Sequence, residues 1–368
     1  MTLRVGIISA NWGAFAHLPA WRSLPGVEVV GICTSRRETA EAAAKKFNVA
    51  RPFWNAEDMA ADPGIDIVDC GTRPNLRHAM VLAALRHGKH VYNGIPCAAN
   101  IDQARELRDA WKTSGKVAIV DAFSQWLPAH QRLREMIDQD FLGRPLGGSC
   151  FFNLSLFNNP SPYFPYNWFA QAGQGVSAMR NLGSHALHML VFLFGEIEEL
   201  TASDNRVLEE WRFADGKIIA PETNDYACLI LRFRSGLVLQ LQVSWSATLG
   251  SGWLLDAFGT RGRFISKAPS FPTSRDTTLQ AGSLGGSLQP VEIPARFTQA
   301  PDIGITADVD PQPAYPMALS MRRMIEVIRG GRQPAAPDFD QAWTVERVLE
   351  AARRSSAERR WVRLEEIA

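Results

Sequence analysis

The chain has no CxxC pair. Its five cysteines, at 33, 70, 97, 150 and 228, are scattered, which excludes a disulfide framework and fits reduced thiols in a cytoplasmic compartment. It has no excess of either charge sign, with 39 Lys and Arg against 38 Asp and Glu. No general electrostatic drive toward nucleic acid or an anionic membrane follows from that balance. Long apolar runs are missing too: the stretch Leu187 to Phe194 contains His188 and is far too short for a membrane span. Met1 to Arg4 leads straight into Val5 to Ser9, with no room for a charged leader and hydrophobic signal segment. No internal repeat or low-complexity tract is present. A soluble, unprocessed cytoplasmic protein acting on a small molecule is the expectation.

At 368 residues the chain exceeds the size at which one core keeps growing, so about two domains are expected. In the first 120 or so residues, short β-branched runs (Val5 to Ile8, Val27 to Ile32, Ile65 to Cys70, His90 to Tyr92, Val117 to Val120) alternate with helical stretches. That rhythm predicts a parallel sheet with crossover helices. Asn75 is read as the cap of a helix running to Gly88, and Asn100 as the cap of another ended by Gly115. An alanine-rich helix is expected from Glu38 to Phe47.

From about residue 145 the period changes. Leu237, Leu239, Leu241, Val243 and Trp245 fall on one face of a strand, with Gln240, Gln242 and Ser244 on the other. This is the pattern of an antiparallel sheet buried on one side. Further strands are predicted at 149–156, 226–233 and 253–258. The stretch 265–313, rich in Pro, Gly, Ser and Thr, is read as long excursions over the sheet. Helices over 315–329 and 339–359 and a short strand at 361–364 close the chain. The predicted architecture is α/β: an N-terminal Rossmann domain with a parallel sheet, residues 1–123, and a C-terminal α+β domain with an open, mainly antiparallel sheet, residues 124–368. The terminal helices are expected to pack back on the first domain.

The first strand runs into Ser9-Ala10-Asn11-Trp12-Gly13 and then a helical segment. A tight turn ahead of a helix N-terminus suits a pyrophosphate, although Ser9 and Asn11 stand where G-x-G-x-x-G has glycine. An ordinary strand-turn-helix with no ligand has the same outline. The end of the second strand adds information: Thr34-Ser35-Arg36-Arg37 replaces the acidic residue that normally meets the ribose hydroxyls in NAD-binding proteins. Guanidinium groups there bind a 2′-phosphate, so NADP(H) is favoured over NAD(H). The competing reading is that these arginines merely open a solvated helix.

With these motifs the chain resembles the Gfo/Idh/MocA family of NAD(P)-dependent oxidoreductases. Thr72-Arg73-Pro74-Asn75-Leu76-Arg77-His78 is similar to the family's T-P-N-x-x-H segment, and Gly88-Lys89-His90-Val91 to its A-G-K-H-V. Gln125-Trp126-Leu127-Pro128, Gly143-Arg144-Pro145-Leu146-Gly147, Gly259-Thr260-Arg261-Gly262 and Gly330-Gly331-Arg332-Gln333-Pro334 match later motifs. Asn181-Leu182-Gly183-Ser184-His185 resembles D-x-G-x-H. The resemblance implies a cofactor site at Ser9, Asn11, Trp12, Gly13, Thr34 to Arg37, Thr72, Pro74, Asn75, His78, Asn93, Gly94 and Pro96. It also implies a homo-oligomer, a dimer or tetramer, built on the open sheet face.

Two departures stand out. The family's C-E-K-P segment, whose lysine contacts substrate and nicotinamide, reads Asn93-Gly94-Ile95-Pro96 here, and the motif aspartate is Asn181. Ile95 can neither carry charge nor help a proton leave. Losing both members of an ion pair leaves a coherent neutral pocket, whereas losing one would not.

His185, an imidazole near neutral pKa, is the leading acid/base candidate, with Asn181 orienting the substrate. In the helix start, His185 could instead serve only as a hydrogen-bonding group. Tyr163, Tyr166 and Trp168 are candidates to shape a substrate pocket or simply a structural lid, with Arg180 for an anionic group and His188 one turn beyond His185. No third ligand accompanies the two histidines, so no metal is expected. The leading expectation is an NADP-dependent oxidoreductase for a hydroxyl or carbonyl of a sugar, polyol or cyclic small molecule. The alternatives are a redox-neutral lyase or hydrolase with bound nicotinamide cofactor, and a non-catalytic nucleotide sensor.

Overall fold

In the computed structural model, residues 2–160 and 166–367 are described; Tyr163 lies outside them. Contacts divide the chain into two compact units, one of Met1–Trp126 with Thr298–Trp343 and one of Leu127–Phe297 with Thr344–Ala368.

The first unit begins with β1 (Leu3–Ile8), α1 (Leu18–Arg22), β2 (Val27–Cys33), α2 (Arg37–Phe47), β3 (Arg51–Phe53), α3 (Ala56–Ala61), β4 (Ile67–Cys70), α4 (Pro74–Arg86), β5 (His90–Asn93), α5 (Ile101–Ser114) and β6 (Ala118–Val120). The strands form one parallel sheet in the order β3-β2-β1-β4-β5-β6. Such a sheet is covered on both faces, so its central strands bury nearly every residue. The strand order reverses between β1 and β4, which leaves a crevice at the strands' C-terminal edge, where ligands of open α/β sheets bind.

The helices of this unit follow from local chemistry. Asn100 caps α5 by accepting from the Gln103 backbone N–H at 3.0 Å, and Gly115 ends it in the left-handed region at φ 64°. In α2, Ala40, Ala43 and Ala44 are buried, letting the helix lie close to the sheet. The helix expected to start from an Asn75 cap instead has Arg73 at the cap and Pro74 in its first turn. Proline's fixed φ suits that position and its missing N–H is no loss there. Neither β3 nor α3 was foreseen; both are too short to show a period.

The second unit contains α6 (Pro128–Asp138), β7 (Pro145–Asn153), α7 (Ser184–Phe194), β8 (Ile197–Asn205), β9 (Trp211–Arg212), β10 (Ile218–Ile219), β11 (Tyr226–Phe233), β12 (Val238–Ser244), β13 (Gly252–Gly259), β14 (Gly262–Ala268), β15 (Thr278–Ser283) and β16 (Gln289–Pro290). After α8 (Ala295–Thr298) come α9 (Ala314–Ile328), which belongs to the first unit, then α10 (Phe339–Glu358) and, in the second unit, β17 (Val362–Arg363). Nine strands pair in the order β16-β15-β14-β13-β7-β12-β11-β8-β17, all antiparallel except β7 with β12. In β12, Leu239, Leu241 and Val243 are buried while Val238 and Gln240 are exposed, the alternation read from the sequence. Each such fully buried aliphatic side chain contributes roughly 1.5–3 kcal/mol relative to exposure.

The stretch expected to wander from 265 onward instead extends the sheet: Phe264 pairs with Ala281 and Ile265 with Gln280. Backbone hydrogen bonds build this edge. In β15 only Leu279 is buried, so no apolar alternation announced it. In the first unit, the segment returning after 298 packs on α5: Phe339 meets Trp111 with ring centroids 5.9 Å apart, and Arg108 reaches Asp340 at 2.6 Å.

Candidate functional site

In the first unit, four strand ends carry the residues expected to hold a dinucleotide. β1 leads into Ser9 to Gly13, where the Asn11 N–H donates to Ser9 Oγ at 3.1 Å. The chain then winds as a π-helical segment, Gly13–His17, before α1. A Cβ on Gly71, just past β4, would lie 2.9 Å from Gly13 Cα. Both positions must stay bare for the turn to press against the end of β4, leaving an open backbone cradle of the kind a pyrophosphate needs.

At the end of β2, Thr34 Oγ1 is engaged with the Arg36 carbonyl at 3.1 Å and with Thr39 Oγ1 at 2.6 Å. Arg37 pairs with Glu41 at 2.8 Å and stacks over Trp54 at 5.3 Å. Ser35 and Arg36 are exposed, and Arg36 makes no ion pair among the described residues. None of residues 34–37 is acidic; the carboxylates nearby are Glu38 and Glu41 on α2 and Asp58 on α3.

After β4, Thr72 leads to Pro74 and Asn75 in the first turn of α4. One turn on, His78 pairs with Glu106 at 2.7 Å. At the end of β5, Asn93 is fully buried; its Nδ2 donates to the Cys97 carbonyl at 2.8 Å, while its Oδ1 has no hydrogen-bond partner among the described residues. Asn75 Oδ1 is in the same state. Two orphaned amide oxygens at the edge of the crevice, with a bare backbone cradle beside them, fit a bound dinucleotide. The peptide between Ile95 and Pro96 is cis. Ile95 packs against the hydrophobic core of this unit, so this side chain is given to packing.

Below this edge lies a cluster that the sequence analysis missed. His17 is completely buried. Its Nδ1 lies 2.8 Å from Asp69 Oδ1 and its Nε2 3.1 Å from Asp121 Oδ2. Trp21 donates to Asp69 at 2.7 Å, Trp12 to Asp121 at 3.0 Å, and the Tyr92 hydroxyl to Asp121 at 3.1 Å. Burial by itself would lower the His17 pKa, but the charges and hydrogen bonds of Asp69 and Asp121 prevail and raise it to about 10. Burial, with the same two carboxylates, also pushes the Tyr92 hydroxyl well up. The available signal was a carboxylate near the end of each of two otherwise apolar strands, Asp69 in β4 and Asp121 just after β6. Arg77 was missed as well: it is buried, donates to the Pro96 carbonyl, and fills the space that a side chain on Gly94 would take.

In the second unit the candidate residues sit on and before α7. A second π-helical segment, Met179–Gly183, carries Asn181 and runs directly into α7 with His185 in its first turn. The His185 ring meets Phe271 edge-on, with centroids 4.8 Å apart. His188 is buried, and burial together with His185 lowers its pKa to about 3. It is therefore neutral and directed into the core. Arg180 is bound to the buried Glu346 at 2.9 Å and to the Gly175 carbonyl at 3.0 Å. Tyr166, Trp168 and Phe169 form an aromatic group, and burial raises the Tyr166 hydroxyl. Among the described residues, no group of three His, Cys, Asp or Glu is arranged to hold a metal, and no helix is long and apolar enough to cross a membrane.

Comparison with known proteins accords with this geometry. Residues 3–122 match the oxidoreductase family model with an NAD-binding Rossmann fold, and residues 130–265 the GFO/IDH/MocA C-terminal domain. The chain is 26% identical to D-apiose dehydrogenase of Paraburkholderia graminis over 98% of its own length and 89% of that protein. It is 23% identical to levoglucosan dehydrogenase of Pseudarthrobacter phenanthrenivorans over 100% and 99% of the two chains. A solved levoglucosan dehydrogenase in complex with NADH and levoglucosan superposes with a TM-score of 0.87 at 21% identity, covering 99% of this chain and 100% of that one. An NAD(P)-binding Rossmann domain joined to this kind of C-terminal domain makes the chain an oxidoreductase of the Gfo/Idh/MocA family.

Proposed function

We propose that this protein is an NADP-dependent oxidoreductase acting on a hydroxyl or carbonyl group of a sugar, polyol or related cyclic molecule. The observation that carries the cofactor choice is the end of β2. Arg36 is exposed and none of residues 34–37 is acidic, while Arg37 pairs with Glu41 and stacks on Trp54. A carboxylate would repel a 2′-phosphate, whereas an available guanidinium binds it with charge-assisted hydrogen bonds.

A nicotinamide cofactor held at this edge would supply the hydride acceptor or donor. His185 then takes the substrate's hydroxyl proton on a ring nitrogen in one direction and returns it in the other, and Asn181 orients the reacting group. With Ile95 engaged in the core, no lysine shares that proton transfer. Relatives named for D-apiose and levoglucosan support a sugar-type substrate, and the ring faces of Tyr166 and Trp168 suit one. The outer face of the nine-stranded sheet exposes Ile230, Val238 and Phe258 among charged residues, which supports a homo-oligomer.

The test combines titration and turnover. NADPH is expected to bind about tenfold or more tightly than NADH, and Arg36→Ala to erase that preference, the loss of one hydrogen bond to a charged group. Equal or tighter NADH binding to the wild type overturns the cofactor choice. A net change in nicotinamide absorbance with a sugar panel, abolished by His185→Ala, supports the reaction. Turnover without net absorbance change, or tight binding with no turnover, replaces it with a redox-neutral enzyme or a sensor.

A further inference from the structure

The cluster around His17 lies outside every residue assigned above except Trp12, and it is built with more care than a packing core requires. Both imidazole nitrogens face carboxylate oxygens, Asp69 on one side at 2.8 Å and Asp121 on the other at 3.1 Å. A neutral imidazole has only one N–H and would turn a lone pair toward a carboxylate. The ring is therefore the doubly protonated cation, donating both ways.

Asp121 Oδ2 accepts from His17 and also from the indole N–H of Trp12, at 3.0 Å, while its Oδ1 accepts from Tyr92. The Asp121 N–H is in turn bonded to the Asn93 carbonyl at 2.7 Å. One carboxylate thus links the turn after β1, the end of β5 and the end of β6. The His17 ring also underlies the point where the turn touches β4, since its Cε1 lies 3.4 Å from where a Cβ of Gly71 would stand. The π-helical winding of Gly13–His17 sets the angle at which His17 reaches inward, and such windings recur at functional sites.

We propose that His17, clamped between Asp69 and Asp121, is a positioning residue that holds Trp12 and the Gly13 backbone in the conformation that receives the nucleotide's pyrophosphate and nicotinamide half. Trp12 is the working end of the device. It is the member of the cluster that is half-exposed, and it sits inside the dinucleotide turn itself. The raised His17 pKa keeps the clamp charged throughout the neutral range. The inference depends on nucleotide binding by this unit and not on the choice between NADP and NAD.

The experiment compares whole nucleotide with its adenosine half, using whichever of NADPH and NADH the wild type binds more tightly. The half-probes, which lack the pyrophosphate, are adenosine 2′-monophosphate for NADPH and adenosine for NADH. Trp12→Phe keeps a ring but cannot donate to Asp121. It is expected to raise the dissociation constant of the whole nucleotide about tenfold while leaving that of the adenosine half unchanged. His17→Gln is expected to weaken whole-nucleotide binding further and, in the nucleotide-free protein, to shift the Trp12 emission seen by difference from Trp12→Phe. If His17→Gln does not fold, Trp12→Phe alone decides. Wild-type affinity for the whole nucleotide in Trp12→Phe overturns the proposal, as does equal weakening of both probes. Failure of the wild type to prefer NADPH leaves this comparison intact and bears only on the cofactor choice.

Discussion

Replacing His17 with leucine removes the cation that two buried carboxylates share. Asp69 is fully buried and Asp121 nearly so, and in the native protein each has the imidazolium within 3.1 Å. Breaking a buried ion pair by deleting one partner costs about 3–5 kcal/mol, because the remaining charge is left uncompensated. Here two carboxylates lose the same partner, which places the loss in the upper part of that range. For a unit of this size, about 2–4 °C of melting temperature is lost per kcal/mol, so a fall of roughly 10 °C or more is expected. The triple variant His17→Leu, Asp69→Asn, Asp121→Asn removes every charge together and should recover most of the loss.

The same cluster gives a pH signature. The His17 pKa is about 10 in the folded protein against about 6.5 unfolded. A raised pKa means that the folded state holds its proton more tightly. The stabilisation is then complete below about pH 6.5, shrinks as pH rises, and is gone above the folded value. Between these limits the slope is about 1.4 kcal/mol per pH unit for the one proton. The titratable groups facing His17 are Asp69 from β4, Asp121 after β6 and Tyr92 from β5. Tyr92 keeps its proton when folded, so measurements held below pH 9.5 avoid its contribution. Urea unfolding of the wild type and His17→Leu at pH 7, 8 and 9 should show the difference in stability narrowing as pH rises. A difference that stays constant, or single and triple variants that melt together, would refute the clamped-cation reading.

Other perturbations test neighbouring parts. Gly71→Ala introduces a Cβ 2.9 Å from Gly13 Cα; parting two backbone segments should destabilise by about 1–3 kcal/mol and weaken nucleotide binding, read by calorimetry. Arg180→Met removes the cation paired with the buried Glu346 and should destabilise by about 3 kcal/mol in denaturant unfolding, part of it recovered by adding Glu346→Gln. His188, with its pKa near 3, is neutral at working pH. His188→Leu should therefore leave the pH dependence of turnover unchanged, whereas His185→Asn should abolish turnover; a shifted profile in the first would bring His188 into the chemistry.

Much of the fold was legible because local chemistry writes it directly. The alternation of short apolar runs with capped helices gave the parallel sheet, and the lack of an acidic residue after β2 can be read from Thr34 to Arg37. Asn100 behaves as the cap it was read to be. Harder to see were features whose partners are distant in the chain. His17 and Asp121 are separated by 104 positions, and each alone looks like an ordinary residue near an element end. Arg77 was passed over inside a recognised motif, because only the fold reveals that it fills the space above Gly94.

By itself the sequence determined the kind of each unit, since a period of two or of 3.6 and the residues that start and stop an element act over a few neighbours. The tertiary structure alone decided which charges are buried together. Burial and proximity set the state of His17 and confined His188 to the core. These are properties of surroundings assembled from several strands, and no stretch of sequence carries them.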